Sequence, residues 1–343
     1  MFPLNQPAMS IIVPVHNSGV TLTRCLAAVS SQMHEADELL VVDDGSTDDV
    51  GTAVAPFPKA TVHRLNPRAG VAAARNRGAA AATRPVLFFV DADVVLHDDA
   101  LARGRARMAD PAIDALIGSY DDTPEAPAQV SRFKNLAHHY FHQRAAGDVS
   151  SFWGACGFVR RDLLATVGGF DERHFSQPSI EDVELGWRLT DRGARIVLDP
   201  DLQVTHLKRW TFGSLFIADM HRRAIPWVRW SLARRRLPAE LNASLEQKLA
   251  ALVAVATLAV GLASIFFAAA RVPVLLLMLA AMAINFRLFA LFWRKGGPRL
   301  LVTGFILQQL YYLCAATGAA AGLMLHCLPG RKGLSAPPTR ATY

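Results

Sequence analysis

Acidic residues are absent from the last 95 positions of the sequence, residues 249–343, which contain eight lysines and arginines. Residues 1–207 have the opposite balance, with 26 acidic against 19 basic residues, and residues 208–248 carry nine basic residues against three acidic ones. The net charge of +7 and the pI near 9.5 would suggest a nucleic-acid partner. However, the positive charge lies beside and within apolar stretches, so we expect membrane contact and no nucleic acid.

Cysteine is also scarce, with four residues at positions 25, 156, 314 and 327. Their spacing matches neither a metal-binding motif nor a disulfide framework. This excludes a small disulfide-stabilised scaffold and favours a reducing compartment. The first ten residues lack the basic and apolar regions of a secretory signal, so we expect the acidic part of the chain to lie in the cytosol.

Three long apolar runs follow the basic segment: Leu249–Ala270, Val272–Trp293 and Leu300–Cys327. Each is long enough to cross a bilayer as a helix. Lysines and arginines precede the first run and separate the second from the third, as on the cytoplasmic flank of membrane spans. The sequence therefore predicts a multi-pass protein of the inner, cytoplasmic membrane.

Polar residues interrupt the second and third runs, namely Asn285, Arg287, Gln308 and Gln309. They either reach the interface and hydrogen-bond between helices, or they line a site for a lipid head group. The basic residues at 331, 332 and 340 raise a second question, because three spans would put them outside the cell, against the charge rule. The number of true spans stays open at this point.

The acidic part alternates strand and helix patterns. Short apolar runs that end in polar residues indicate buried strands at residues 9–16, 38–43 and 85–90, and helical spacing indicates helices at Val20–Met33 and Val71–Ala82. This order predicts an α/β fold with a mostly parallel sheet flanked by helices, in which ligands bind beyond the carboxyl ends of the strands. The polar residues at those ends are His16, Asn17, Asp43, Asp44, Asp91 and Asp93.

The loop after the first strand, VPVHNSGV, lacks the G-x-G-x-x-G pattern, which disfavours a dinucleotide-binding site. A cluster of carboxylates would repel a bare phosphate. The pattern instead predicts a divalent cation that joins the carboxylates to a diphosphate, or carboxylates that bind ribose hydroxyls and base N–H groups.

Five motifs in a fixed order support this interpretation: SIIVPVHNSG, VVDDGSTDD, NPRAGVAAARNRGAA, FFVDADV and IEDVELGWRL. Together they resemble the inverting family-2 glycosyltransferases of the GT-A fold, over residues 9–210. The resemblance implies transfer of a sugar from a nucleotide diphosphate sugar, with a UDP-sugar as the expected donor and Mg or Mn as the cofactor. It also implies an all-α membrane region after the GT-A domain.

The resemblance assigns a nucleotide and donor site to Pro14, His16, Asn17, Asp43, Asp44, Arg75, Asp91 and Ala92. Asp43 and Asp44 are expected to bind the nucleotide jointly, although an Asp-Gly-Ser turn alone would also explain them. For Arg75, a place near the nucleotide and a structural salt bridge to a pocket aspartate remain equal alternatives.

The same resemblance assigns metal coordination to Asp93, and His206 is expected to complete the metal site rather than serve as a polar surface or core residue. Asp182 is expected to act as the general base that deprotonates the acceptor hydroxyl, with Glu181 as the second choice. The alternative for both acids is a favourable charge at a helix N-terminus.

The acceptor region is expected to include Trp153, Gly154 and Cys156, although cysteine stands where the family commonly has asparagine. Arg222 and Trp227 complete that region. They lie in MHRRAIPW, an imperfect match to the Q-x-x-R-W of processive synthases, so a single transfer is favoured.

The predicted organisation is a cytosolic GT-A catalytic domain at 1–207, a basic amphipathic interfacial segment at 208–248, a transmembrane region of about three helices at 249–330 and a tail at 331–343. The expected reaction is transfer to a hydroxyl of a lipid-linked acceptor. The alternatives are a polyprenyl-phosphate sugar synthase, a catalytically idle membrane scaffold subunit and a metal-dependent phosphotransferase.

Overall fold

The computed structural model describes residues 6–236 and 241–327, which form two compact units. The first unit comprises residues 6–125 and 142–208, and the second comprises residues 126–141 and 209–327. Residues 126–141 group with the C-terminal part of the chain, and the first unit otherwise ends at residue 208, next to the predicted boundary at residue 207. The predicted tail, with its basic residues at 331, 332 and 340, lies outside the described residues.

The first half of the first unit is a parallel α/β layer. Its strands are β1 (Met9–Val15), β2 (Glu38–Asp43), β3 (Ala60–Arg64) and β4 (Val86–Val90), and the helices between them are α1 (Gly19–Ser30), α2 (Val50–Val54) and α3 (Val71–Ala81). The apolar strand sequences are buried, and α1 packs its apolar face of Leu22, Leu26 and Val29 against the core. The predicted strands and helices of this region are therefore confirmed.

The second half completes one nine-stranded sheet with β5 (Val94–Leu96), β6 (Ala115–Tyr120), β7 (Gly147–Val149), β8 (Cys156–Arg160) and β9 (Ile196–His206). Its helices are α4 (Ala100–Met108), α5 (Gln129–Arg144), α6 (Arg161–Val167) and α7 (Glu181–Asp191). The strand order is β3-β2-β1-β4-β8-β6-β9-β5, and β7 pairs with β9.

The predicted α/β fold, a sheet flanked by helices, is confirmed, and the sheet is mixed rather than mostly parallel. Four strand pairs are parallel, and β4–β8, β5–β9, β6–β8 and β7–β9 are antiparallel. The physical reason is that the strict strand–helix alternation, which imposes parallel pairing, stops after β4. From β5 onward, the strands pair both parallel and antiparallel to their neighbours. The antiparallel pairing of β5 with β9 places the start of β5 beside the end of β9.

The second unit is helical, and part of α5 belongs to it. Its other elements are α8 (Phe212–Ile217), a π-helical segment (Ala218–Ala224), α9 (Ile225–Ala233), short 3-10 turns (Leu241–Ala243 and Ala268–Ala270), α10 (Leu245–Ala263), α11 (Arg271–Ile284) and α12 (Phe286–Cys327). Its largest apolar cluster joins Phe133, Leu136 and Trp210 to residues of α12 such as Phe289 and Phe292.

Two helices of the described residues, α10 and α12, are long and apolar enough to cross a membrane. The predicted run Val272–Trp293 does not form one helix. It is divided at Asn285, whose backbone leaves helical geometry between α11 and α12. Further along, α12 is broken at Gly297, which has φ 62° and ψ −159°, because the following Pro298 disfavours helical geometry at the residue before it.

Candidate functional site

Asp93 and His206 face each other at the edge of the sheet. β5 and β9 run antiparallel with Val94 opposite His206, and the backbone N–H of Leu207 donates to the carbonyl of Asp93 over 2.8 Å. This pairing brings Oδ2 of Asp93 to 3.6 Å from Nε2 of His206. Burial raises the pKa of Asp93, but the hydrogen bond and charge of His206 and the charge of Lys208 outweigh that effect and leave the pKa below its usual value.

The His206 ring is held by an aromatic partner. It stacks on Tyr120 with 4.4 Å between ring centroids and an interplanar angle of 9°. Tyr120 in turn meets the edge of Trp153 at 4.7 Å. Sequence analysis missed Tyr120, and the available signal was an aromatic residue at the end of a buried strand, directly before Asp121 and Asp122.

A buried arginine joins two acidic residues of the site. Arg75 of α3 donates from Nη2 to Oδ1 of Asp91 and from Nη1 to Oε1 of Glu181, both over 2.9 Å. Its guanidinium also lies over the ring of Phe170 at 5.3 Å. Burial raises the pKa of Asp91 above its usual value, and the positive charge of Arg75 opposes this shift. The salt bridge that was one of two alternatives for Arg75 is therefore present.

The two acids at the start of α7 have different environments. Glu181 is buried and uses both carboxylate oxygens, one for Arg75 and one for the backbone N–H of Ser179 at 2.8 Å. Asp182 is half-buried and accepts from two backbone N–H groups, those of Gly154 at 3.2 Å and Val183 at 2.8 Å. Burial, followed by the negative charge of Glu181, raises the pKa of Asp182 to about 6.

Gly154 packs directly against the Arg75 guanidinium. A Cβ atom at this position would lie 2.5 Å from Cζ of Arg75 and 2.6 Å from Nη2. The absence of a side chain thus allows the backbone N–H of Gly154 to reach Asp182 while Arg75 keeps its bridge. Gly154, Arg75, Asp91, Glu181 and Asp182 form one contiguous group, which we name the carboxylate–arginine cluster.

Asp43 and Asp44, at the end of β2, both accept backbone hydrogen bonds. Asp43 caps its own turn through Ser46 N–H at 2.8 Å, and its Oδ2 lies 3.5 Å from Nη1 of Arg64. Asp44 accepts from the N–H groups of Ala69 at 2.7 Å and Gly70 at 2.9 Å. The turn predicted as an alternative for these residues is present, and Asp44 also fixes the loop before α3.

The residues at the end of β1 adjoin this turn. Pro14 is buried near the end of β1. The pairing of β1 with β4 stops at Ile12, so the absence of an N–H group at Pro14 interrupts no hydrogen bond to β4. Nδ1 of His16 lies 2.9 Å from the carbonyl oxygen of Asp44, and Asn17 accepts from Thr47 N–H over 2.8 Å. Ala92, between the two aspartates, is buried in the core.

The residues predicted for the acceptor region lie in both compact units. In the first unit, Trp153 is half-buried beside Tyr120, Gly154 lies in the carboxylate–arginine cluster, and the side chain of Cys156 is fully buried in the sheet core. The role of these residues in acceptor binding stays a prediction. Arg222 and Trp227 belong to the second unit, where Arg222 is exposed and Trp227 is half-buried.

The arrangement fits a divalent cation that takes few ligands from the protein. Within residues 6–236 and 241–327, no group of three or more His, Cys, Asp or Glu side chains is placed to hold a metal. Asp93 and His206 have a suitable spacing, since ligands that both bind a cation at about 2.1 Å lie about 3 Å apart, close to the observed 3.6 Å. His97 and Asp121 form another such pair at 3.0 Å, but the family resemblance places the metal at Asp93 and His206. The rest of the coordination shell would then come from a diphosphate and water.

Residues 10–168 match the family model described as glycosyl transferase family 2. Glycosyltransferase AglE of Haloferax volcanii is 29% identical over 61% of this chain and 69% of its own length. Pre-mycofactocin glycosyltransferase of Mycobacterium tuberculosis is 30% identical over 58% of this chain, but the match spans only 42% of that protein.

Solved structures show the same fold. The mannosyltransferase PcManGT from Pyrobaculum calidifontis, in complex with GDP-Man and Mn²⁺, aligns with a TM-score of 0.58 at 20% identity, over 93% of this chain and 88% of that one. TarS of S. aureus aligns with a TM-score of 0.51 at 18% identity, over 90% of both chains. Residues 10–168 thus match glycosyl transferase family 2, the similar curated proteins are glycosyltransferases, and the chain has the GT-A fold of the solved structures.

Proposed function

We propose that this chain is a membrane-anchored, metal-dependent glycosyltransferase that moves a sugar, with inversion, from a nucleotide diphosphate sugar to a hydroxyl of a lipid-linked acceptor. The observation that carries the proposal is the Asp93–His206 pair at 3.6 Å, in the same compact unit as the carboxylate–arginine cluster. PcManGT, with GDP-Man and Mn²⁺, and GalNAc-T7, with UDP, GalNAc and Mn²⁺ (TM-score 0.52), support the ligand class.

In this proposal Asp93 and His206 hold Mg²⁺ or Mn²⁺. A cation at this position neutralises the charge that develops on the leaving diphosphate. Of the two aspartates after β2, Asp43 is the better nucleotide ligand. Its Oδ2 has only the long contact with exposed Arg64, whereas both oxygens of Asp44 are used by backbone N–H groups.

Asp182 is the proposed general base. Glu181 is buried and forms an ion pair with Arg75, whereas Asp182 is half-buried and accepts from backbone N–H groups, so Glu181 positions Arg75 and Asp182 accepts the proton. A pKa of about 6 makes Asp182 a stronger base than an ordinary aspartate while leaving it mostly ionised at neutral pH. Removal of a proton from a hydroxyl in a single in-line displacement then inverts the anomeric centre.

The need for a base also separates the candidate acceptors. A phosphate acceptor is already ionised and has no proton to lose, so Asp182 favours a hydroxyl over the acceptor of a polyprenyl-phosphate sugar synthase. The membrane-length helices α10 and α12 support an acceptor carried by a lipid. An idle scaffold subunit would give no reason for retaining the carboxylate–arginine cluster.

The test is to supply the full chain, in membranes, with Mn²⁺ and separate UDP- and GDP-sugars, and to analyse lipid extracts by mass spectrometry. A lipid heavier by one sugar, absent with Asp93→Ala, would support the proposal. A phosphorylated product would identify a phosphotransferase instead. Binding of UDP with Mn²⁺ but no product with any donor would favour the scaffold hypothesis.

A further inference from the structure

A groove in the second unit lies between α8 with its π-helical extension and α12. It encloses about 380 Å³, within the usual size range of small-molecule sites. One wall is formed by Phe212, Leu215 and Phe216, and the other includes Leu307, Leu310 and Tyr311. Apart from Asp219 the lining is almost wholly apolar, so the groove suits a hydrocarbon chain.

The groove has a charged end. Asp219, which lines it, is buried and pairs with Lys134 of α5, and Nη1 of Arg223 lies 3.4 Å from Oδ1 of Asp219. Two cations thus share one carboxylate, which leaves a net positive charge. The ammonium of Lys134 also lies 5.5 Å from the centre of the Tyr311 ring, on the groove wall. Burial lowers the pKa of Lys134 to about 8, although the negative charge of Asp219 raises it.

The charge of the whole unit indicates which lipid is preferred. Residues 126–141 and 209–327 contain fifteen lysines and arginines against three acidic residues. An anionic head group complements this excess, whereas a zwitterionic one gains little from it. A phosphate on the lipid also offers oxygens that Arg223 can bind through charge-assisted hydrogen bonds.

We propose that this groove binds a lipid with an anionic phosphate-monoester head group, with the hydrocarbon chain between α8 and α12 and the phosphate beside Arg223 and Lys134. The inference deepens the proposed function, because it assigns the lipid part of the acceptor to a defined site. A hydroxyl acceptor is compatible with it, since the bound phosphate anchors the lipid and need not be the group that reacts.

The test uses the full chain in phosphatidylcholine nanodiscs that contain a trace of diazirine-labelled polyprenyl phosphate, without any nucleotide sugar. After photolysis, labelled peptides are mapped by mass spectrometry. We expect labelling within 212–220 and 307–317, reduced about tenfold by Leu310→Trp, which fills the groove. The matched control is Ile306→Trp on the exposed face of the same helix, which should leave labelling unchanged.

A second variant separates the head group from the chain. Arg223→Gln should weaken labelling by the phosphate probe about tenfold and leave labelling by diazirine-bearing phosphatidylcholine unaltered, and this result does not depend on whether Leu310→Trp folds. Competition by inorganic phosphate would assign the charged end to a free anion and overturn the lipid proposal. Equal labelling of the groove by both lipids would show that it contacts lipids without selecting the head group, and would also overturn the proposal.

The outcome is independent of the proposed reaction. Groove labelling without any sugar transfer would retain the lipid site and remove the glycosyltransferase proposal. Transfer with labelling outside the groove would do the reverse.

Discussion

Arg75 donates to Glu181 over 2.9 Å although the two residues lie 106 positions apart. The same guanidinium holds Asp91, so one side chain of α3 connects the end of β4 to the start of α7. Because Glu181 is held in this buried ion pair and Asp182 is not, Asp182 is the acid that we propose as the base. The division of labour between two adjacent acids can be tested directly.

Asp182→Asn should lower the rate of transfer by about 10²–10⁴-fold while donor binding with Mn²⁺ persists, because an amide cannot accept the acceptor proton. Glu181→Gln should instead reduce stability by weakening a buried ion pair. Steady-state transfer, calorimetric binding of UDP with Mn²⁺ and thermal unfolding distinguish the two effects. Asp162→Asn, on the exposed surface of α6, is the matched control. Loss of donor binding in Asp182→Asn would contradict the assignment.

The raised pKa of Asp182 predicts an acidic limb in the rate profile. A base is active when deprotonated, and its pKa is about 6, so kcat should rise with pH through about 6 and level off above it. Measurement of kcat from about pH 5 to about pH 8 at saturating donor, acceptor and Mn²⁺ would show this limb. A kcat that stays constant over this range would show that no base with a pKa near 6 controls the rate.

The local elements of the first unit could be predicted from sequence because apolar periodicity and strand-end polar residues are local properties. β1, β2 and β4, and helices α1 and α3, lie within a few residues of the prediction. The strand directions after β4 could not be predicted, because hydrophobic runs do not specify the direction of the neighbouring strand. The same limit hid the aromatic stack of Tyr120 on His206, which requires β6 and β9 to be adjacent.

The hydrogen-bond partners and the burial of individual side chains also could not be predicted from the sequence. Asp43 and Asp44 cannot be distinguished in the sequence, but in the structure both carboxylate oxygens of Asp44 accept hydrogen bonds from backbone N–H groups of the loop before α3. The burial of Cys156 could not be predicted either, because the alternation of β8 that turns its side chain into the core depends on register. The helix break at Asn285 is similar, since its buried amide hydrogen-bonds with Gln247 of α10 and Tyr312 of α12.

Removal of either proposed metal ligand should weaken binding of the cation. Loss of a residue that only supports a metal ligand lowers metal affinity by about 10–100-fold. We therefore expect Asp93→Asn and His206→Ala, which remove ligands themselves, each to weaken Mn²⁺ binding by at least this factor. Paramagnetic Mn²⁺ titration in the presence of UDP measures the affinity without catalysis. Asp98→Asn, an exposed aspartate five residues further along the chain, should retain wild-type affinity. Unchanged Mn²⁺ affinity in His206→Ala would leave Asp93 as the sole protein ligand.

Tyr120 should act as a positioning residue for His206. Tyr120→Leu removes a ring stacked at 4.4 Å, an interaction worth about 0.5–1.5 kcal/mol, so Mn²⁺ affinity should fall by about two- to tenfold. Tyr120→Phe preserves the ring and should restore the affinity. Equal losses in both variants would mean that the hydroxyl, and not the stack, is important.

Gly154→Ala probes the carboxylate–arginine cluster through a single methyl group. The new Cβ would lie 2.5 Å from Cζ of Arg75, and the guanidinium is fixed at both ends, so Arg75 must shift from Asp91 or Glu181. Overpacking of this kind lowers the free energy of unfolding by about 1–3 kcal/mol. The rate of sugar transfer should also fall, because the Gly154 N–H moves away from Asp182. Gly213→Ala is the control, since its Cβ would meet no atom within 4 Å. Thermal unfolding and transfer rate are measured together, and a Gly154→Ala variant with wild-type values for both would show that the cluster tolerates displacement of Arg75.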